Sequence, residues 1–158
     1  MKIIWKKIIN NIVGDAIVKE VMSLKLAVKL IETVEEKAAE MGLAVVVAVS
    51  DASGRPIAVH CMDGAYHGSF DVAVNKTYTS TAFQMSTAKL SRLCQPGQDL
   101  YGLQFSNNGK VMILGGGEPL MVGKTMIGAL GVSGGSAQED SDLAAYGASA
   151  LKEVIKCL

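Results

Sequence analysis

Leu43-Ala44-Val45-Val46-Val47-Ala48-Val49-Ser50-Asp51-Ala52-Ser53-Gly54-Arg55-Pro56-Ile57-Ala58-Val59-His60-Cys61-Met62 is the stretch that decides the fold. Two β-branched runs, 43–50 and 57–62, flank a segment whose Asp, Gly and Pro are turn formers. A short turn between two strands makes an antiparallel hairpin. Upstream, Leu24, Ala27, Val28, Ile31, Val34, Ala38 and Met41 recur at helical spacing behind Ser23, and Gly42 stands where a left-handed residue ends a helix.

Downstream, Ser69 can cap a second helix, with Phe70, Ala73, Val74, Thr77, Tyr78, Thr81, Ala82 and Met85 in period, and a shorter helix covers Thr87 to Cys94. Beyond Pro96-Gly97, the segments Leu100–Phe105, Val111–Leu114 and Met126–Val132 read as strands, punctuated by Asn107-Asn108-Gly109 and Gly123-Lys124-Thr125. Ser136 and Glu139 have capping-box spacing before a last helix along Leu143, Gly147, Ala150, Leu151, Val154 and Ile155. Parallel neighbours need long crossovers, so this order predicts an α+β domain with a five-stranded, mainly antiparallel sheet flanked by helices.

Residues 1–22 read as an N-terminal amphipathic helical extension to a domain of 23–158, with isoleucines, Trp5 and valines on one side and lysines beside them. Such a helix either packs on the domain or a sister subunit, or addresses the chain to a partner such as an enzyme or the inner wall of a bacterial microcompartment.

Fifteen basic residues balance fifteen acidic ones, so no basic field exists to draw in nucleic acid. No apolar run is long enough for a membrane span, and Lys6 and Lys7 interrupt the only signal-like stretch. Three widely spaced cysteines, without C-x-x-C pairs or an even count, fit a reducing cytoplasmic setting.

No complete catalytic or metal-ligand motif is present. Asp51, Asp63 and Glu118 are available acids or bases for an enzyme acting on a small hydroxy acid or aldehyde, but each lies in a turn context that already explains it. Heteroatoms concentrate in His60-Cys61-Met62-Asp63-Gly64-Ala65-Tyr66-His67, which holds both histidines of the chain beside a thiol and a thioether, the side chains able to ligate haem iron. Alternation puts His60 and Met62 on one face of the strand and Cys61 on the other. His67, in the loop before the Ser69 helix, is the preferred axial ligand or polar contact.

On that helix Lys76, Thr79 and Phe83 share a face apart from the apolar stripe, which can line a pocket or an interface, while hydroxyls bonding back to helix carbonyls account for most of its threonines. The clusters Gly115-Gly116-Gly117 and Gly131-Val132-Ser133-Gly134-Gly135 match neither G-x-G-x-x-G nor a P-loop. Both read as turns and close backbone contacts, with Gly116 placed to border a ligand.

Taken in order, Val49-Ser50-Asp51-Ala52-Ser53-Gly54, Met62-Asp63-Gly64-Ala65, Asn75-Lys76, Gln95-Pro96-Gly97, Leu100-Tyr101-Gly102-Leu103, Gly115-Gly116-Gly117-Glu118-Pro119-Leu120, Gly128-Ala129-Leu130-Gly131-Val132-Ser133-Gly134-Gly135 and Glu139-Asp140 resemble the GlcG/HbpS-like family, which includes the C-terminal domain of PduO-type proteins. The likeness covers about residues 23–155. It implies a profilin-like fold, homo-oligomers from dimers to octamers, and haem binding, in some members with haem degradation, in others within operons for glycolate or diol metabolism. Cys61 stands where family members commonly carry Arg, which removes a charge able to meet a haem propionate, and Ser86 stands where Pro is common. The function expected is a haem- or tetrapyrrole-binding accessory protein, with cofactor contacts at His67, His60, Cys61, Lys76 and Gly116 and iron at His67; the alternative is a structural subunit of a diol- or glycerol-utilisation operon.

Overall fold

The computed structural model describes residues 21–158. Residues 1–20, which carry most of the expected extension, lie outside them. Helix α1 (Leu24–Glu40) starts at Ser23, whose hydroxyl accepts from the Leu26 amide, and ends where Gly42 takes φ +70°. Met22, the last residue of the expected extension, packs in the main core.

Strands β1 (Val46–Asp51) and β2 (Pro56–Cys61) form the expected hairpin, with Val47 opposite His60 and Val46 opposite Cys61. Helices α2 (Ser69–Phe83) and α3 (Thr87–Leu93) follow. Ser69 is the first residue of α2 rather than its cap: Gly68 holds the cap position with no side-chain bond, and Ser69 is buried. After a long irregular stretch come β3 (Gly117–Val122), β4 (Thr125–Ser133) and α4 (Ala137–Lys156), the last opening on the capping box of Ser136 and Glu139.

Among the described residues the sheet has four antiparallel strands in the order β2-β1-β4-β3, not the five expected. Leu100–Phe105 is a run of turns ending in a 3₁₀ turn, Leu103–Phe105, because Gly102 at φ +93° breaks any extended path. Val111–Leu114 is irregular. The strand the sequence hid is β3, read as a glycine turn because it contains Gly117 and Pro119. Proline lacks an N–H and is tolerated on an outer strand; β3 is an outer strand with one neighbour.

Helices α1 and α4 cover one face of the sheet, burying Val45, Val47, Val49, Leu130 and Val132 with Leu30, Ile31, Leu143 and Leu151. Helix α2 covers the other face. There the register aligns Ala48, Gly131 and Gly117 in one row across β1, β4 and β3. A Cβ at Gly131 would run into the Ala73 carbonyl, so small residues across three strands let the α2 backbone settle onto the sheet. This close approach explains why α2 is built from Ala, Ser and Thr where a surface helix would carry Leu or Ile. Its threonines bond back as expected, Thr77 to the Val74 carbonyl and Thr79 to that of Asn75.

Candidate functional site

The expected site residues divide between the two faces of the sheet. His60 projects with Val47 toward α1, where its Nδ1 lies 3.2 Å from a Glu35 carboxylate oxygen. Cys61 pairs with Val46, projects the other way and is exposed. Strand alternation therefore separates the imidazole from the thiol, as the sequence implied.

His67 is exposed in the turn that leads into α2, a turn closed by Ser69 donating to the Tyr66 carbonyl at 2.9 Å. Its neighbours are unusually bare for aromatic residues: Tyr66 is 72% exposed and Phe70 45%. An imidazole with no hydrogen bond among the described residues, next to two exposed aromatic side chains, is a surface that can present one nitrogen to a metal and apolar faces to a ring system.

Lys76 is different in kind. It is 1% exposed, and its Nζ sits 2.8 Å from Asp140 Oδ2 while donating to the Val132 carbonyl at 2.7 Å. Burial pushes the ammonium below its ordinary range, and the hydrogen bond and charge of Asp140 pull it back up. Asp140 uses its second oxygen to accept from the Gly135 amide at 2.9 Å. One ion pair thus joins α2, the end of β4, the glycine turn after it and the first turn of α4.

Gly116 belongs to the same assembly. It adopts φ +111°, and a Cβ there would lie 2.8 Å from Lys76 Nζ and 2.6 Å from the Val132 oxygen. Its carbonyl accepts from the Val132 amide at 2.8 Å. The Gly117 amide donates to buried Thr87 Oγ1 at 2.9 Å. The triple glycine is a lid of bare backbone on a buried charge pair, and a ligand reaches Lys76 only by opening that pair.

Nothing in the sequence paired Asp140 with Lys76. Its partner is 64 positions away, and only the glycines that make room for both hinted at a crowded spot. Thr79 was also under-read: besides bonding back along α2, it accepts from the Met112 amide at 2.8 Å and anchors the irregular stretch before β3.

Of the three candidate acids, Asp51 accepts from the Ser53 and Arg55 amides, which is turn chemistry. Asp63 is exposed. Glu118 is half-buried on β3, makes no ion pair among the described residues, and has its carboxyl pushed above the usual range by burial. Among the described residues no three His, Cys, Asp or Glu side chains gather as a metal site. None of the described helices is long and apolar enough to cross a membrane.

Residues 22–149 match the model of the family described as haem degrading protein HbpS-like. The chain belongs to the HbpS-like family. It is 39% identical, over 78% of its own length and 87% of the relative's, to an uncharacterised 15.0 kDa protein in the dhaT–dhaS intergenic region of Citrobacter freundii. It is also 39% identical to corrinoid adenosyltransferase PduO of Salmonella typhimurium, but there 69% of this chain spans only 32% of that protein. Among solved structures, the crystal structure of a PduOC–haem complex superposes with a TM-score of 0.78 at 35% identity, covering 82% of this chain and 94% of that one. The HbpS-like fold thus has haem bound in a relative whose core is nearly all shared with this chain.

Proposed function

We propose that this HbpS-like chain is a haem- or tetrapyrrole-binding accessory protein that takes its ligand at the exposed turn around His67. The observation that carries the reading is the conjunction of an exposed imidazole with the exposed rings of Tyr66 and Phe70, in a fold whose PduOC relative has been crystallised with haem. Bound haem would supply redox-active iron; the chain's part is to offer the His67 imidazole and to cover the macrocycle with the two aromatic side chains. Lys76 and Gly116 serve this site from a distance, by fixing the middle of α2 against the sheet. A second protomer meeting this turn would complete the enclosure, in keeping with a cytoplasmic homo-oligomer.

Hemin added to the purified full-length chain is expected to shift its Soret band saturably at micromolar concentration, with the shift diminished in His67→Ala. A spectrum identical to free hemin, or an H67A titration superimposable on wild type, overturns the assignment. Adding peroxide to the loaded protein tests whether it also degrades haem, the activity named in the family description.

The relatives from the dhaT–dhaS region and PduO favour a second reading, an accessory subunit of a diol- or glycerol-utilisation system that works through its oligomer and residues 1–22. Enzyme or microcompartment shell subunits that co-purify with the full chain, and are lost on deleting residues 1–20, would support it over ligand binding.

A further inference from the structure

We infer that the cavity between the β3–β4 hairpin and the last turns of α4 is a binding site for a small amphiphilic carboxylate, separate from the turn at His67. The cavity measures about 550 Å³, within the ~300–1,000 Å³ of small-molecule sites. Met121 and Val122 of β3 form one wall, and Leu151 and Ile155 of α4 the other. Among the described residues, the charged groups that line it are Lys152 and Lys156, with no carboxylate.

Apolar walls with two cations at the rim complement a molecule with an apolar body and an anionic head. Lys152 and Lys156 are four residues apart and so share one face of α4. Lys152 makes no ion pair among the described residues. Lys156 touches Glu153 at 2.7 Å, but both side chains are more than half exposed, a pairing that yields readily to a competing anion. Lys124, exposed at the hairpin tip beside the cavity's Gly123, adds a third positive charge to the approach.

Lysines at a helix C-terminus also offset the negative end of the helix dipole. That role accounts for Lys156, in the last turn. It does not account for the open apolar space below: Leu151 is buried at its floor while Met121 is 46% exposed at its edge, although β3 has core positions available on its other side. A hairpin tip that merely closed a core would pack onto α4 and leave no such volume.

The test uses the full-length chain, sodium decanoate below its micellar concentration, and decyltrimethylammonium as a cation of the same chain length, followed by isothermal titration calorimetry. Decanoate is expected to bind saturably at one site per chain and the cation at least tenfold more weakly. Ile155→Trp, which fills the cavity, should abolish decanoate binding. The double charge reversal Lys152→Glu/Lys156→Glu should weaken it at least tenfold while sparing the cation, and should keep the test decisive if I155W fails to fold. His67→Ala should leave decanoate binding unchanged, so failure of the haem proposal and failure of this one remain distinguishable. The inference is overturned if decanoate gives no saturable heat, if I155W binds as wild type, or if I155W changes the oligomeric state without any decanoate binding in the parent, which would make the cavity a seat for protein.

Discussion

Removing one partner of the Lys76–Asp140 pair tests the physical account most directly. At 2.8 Å and an effective dielectric of about 20, two unit charges attract by about 6 kcal/mol. Desolvating two ions cancels much of this, so the pair adds little net stability, yet stranding one member costs about 3–5 kcal/mol. Asp140→Asn preserves shape and leaves Lys76 charged, 1% exposed and bonded chiefly to the Val132 carbonyl. In urea melts read by circular dichroism, D140N should lose about 3–5 kcal/mol at neutral pH, a large part of the ~5–15 kcal/mol typical of a domain. Lys76→Met should lose a similar amount by stranding Asp140. The double variant should lose less than the sum of the two, since neither charge is then left alone.

The pH dependence follows from the same geometry. Asp140 is what raises the Lys76 ammonium against the lowering effect of burial, so D140N drops it further below 10.5. A lysine depressed in the native state means the unfolded chain binds more protons as pH climbs toward that value, and stability rises with pH there. The D140N deficit should therefore shrink as pH rises toward 10.5. Single losses under about 1 kcal/mol, or strict additivity, would refute the view that this pair holds α2, β4 and α4 together.

Gly116→Ala brings a Cβ within 2.8 Å of Lys76 Nζ at a backbone angle of φ +111°; overpacking and strain each cost about 1–3 kcal/mol, and a thermal melt should show a clear loss. Glu118→Gln should act in the opposite sense. Burial raises the Glu118 carboxyl above 4.5, so the native state resists its ionisation, and the variant should melt higher than wild type at pH 7, with the difference closing as pH falls toward 4.5. Equal melting temperatures at pH 7, or a gap that widens in acid, would contradict that assignment.

The sequence was most legible where a single local rule decided the outcome. Helix α1 is written in its 3.6-residue period and in Gly42, the hairpin in Gly54 and Pro56, and the start of α4 in Ser136 and Glu139. It was least legible where tertiary contact overrode composition. Gly117 and Pro119 argue against a strand, yet an outer position needs no N–H from Pro119, and contact with α2 demands the absence of a side chain at Gly117. Leu100–Phe105 argues for a strand by hydrophobicity, and Gly102 undoes it. For the site, alternation set His60 against Cys61, as the register shows, and His67 is exposed in the turn before α2. What one dimension could not carry was the fate of the Lys76 charge, because its partner lies in another helix across the sheet.

That fate bears on how a ligand site is built in this fold. A lysine on the hydroxyl-rich face of α2 invites a binding role, yet the donors beside it turn inward: the ammonium to Asp140 and Val132, the Gly135 amide to Asp140, the Gly117 amide to Thr87. Of the hydroxyls on α2 near the pair, Ser80 is buried without a partner. Donors paired in this way have nothing left for a ligand, and their cost of exposure keeps them shut. Exposed groups lie at the N-terminal end of α2, where His67, Tyr66 and Phe70 face solvent beside a helix seated along its middle. A seated helix with exposed side chains at its start is what a binding turn requires, since those side chains are then presented without having to be ordered by the ligand. If D140N loosens that seat, its hemin titration should weaken together with its stability, even though Asp140 meets α2 at Lys76, more than two turns along the helix from His67.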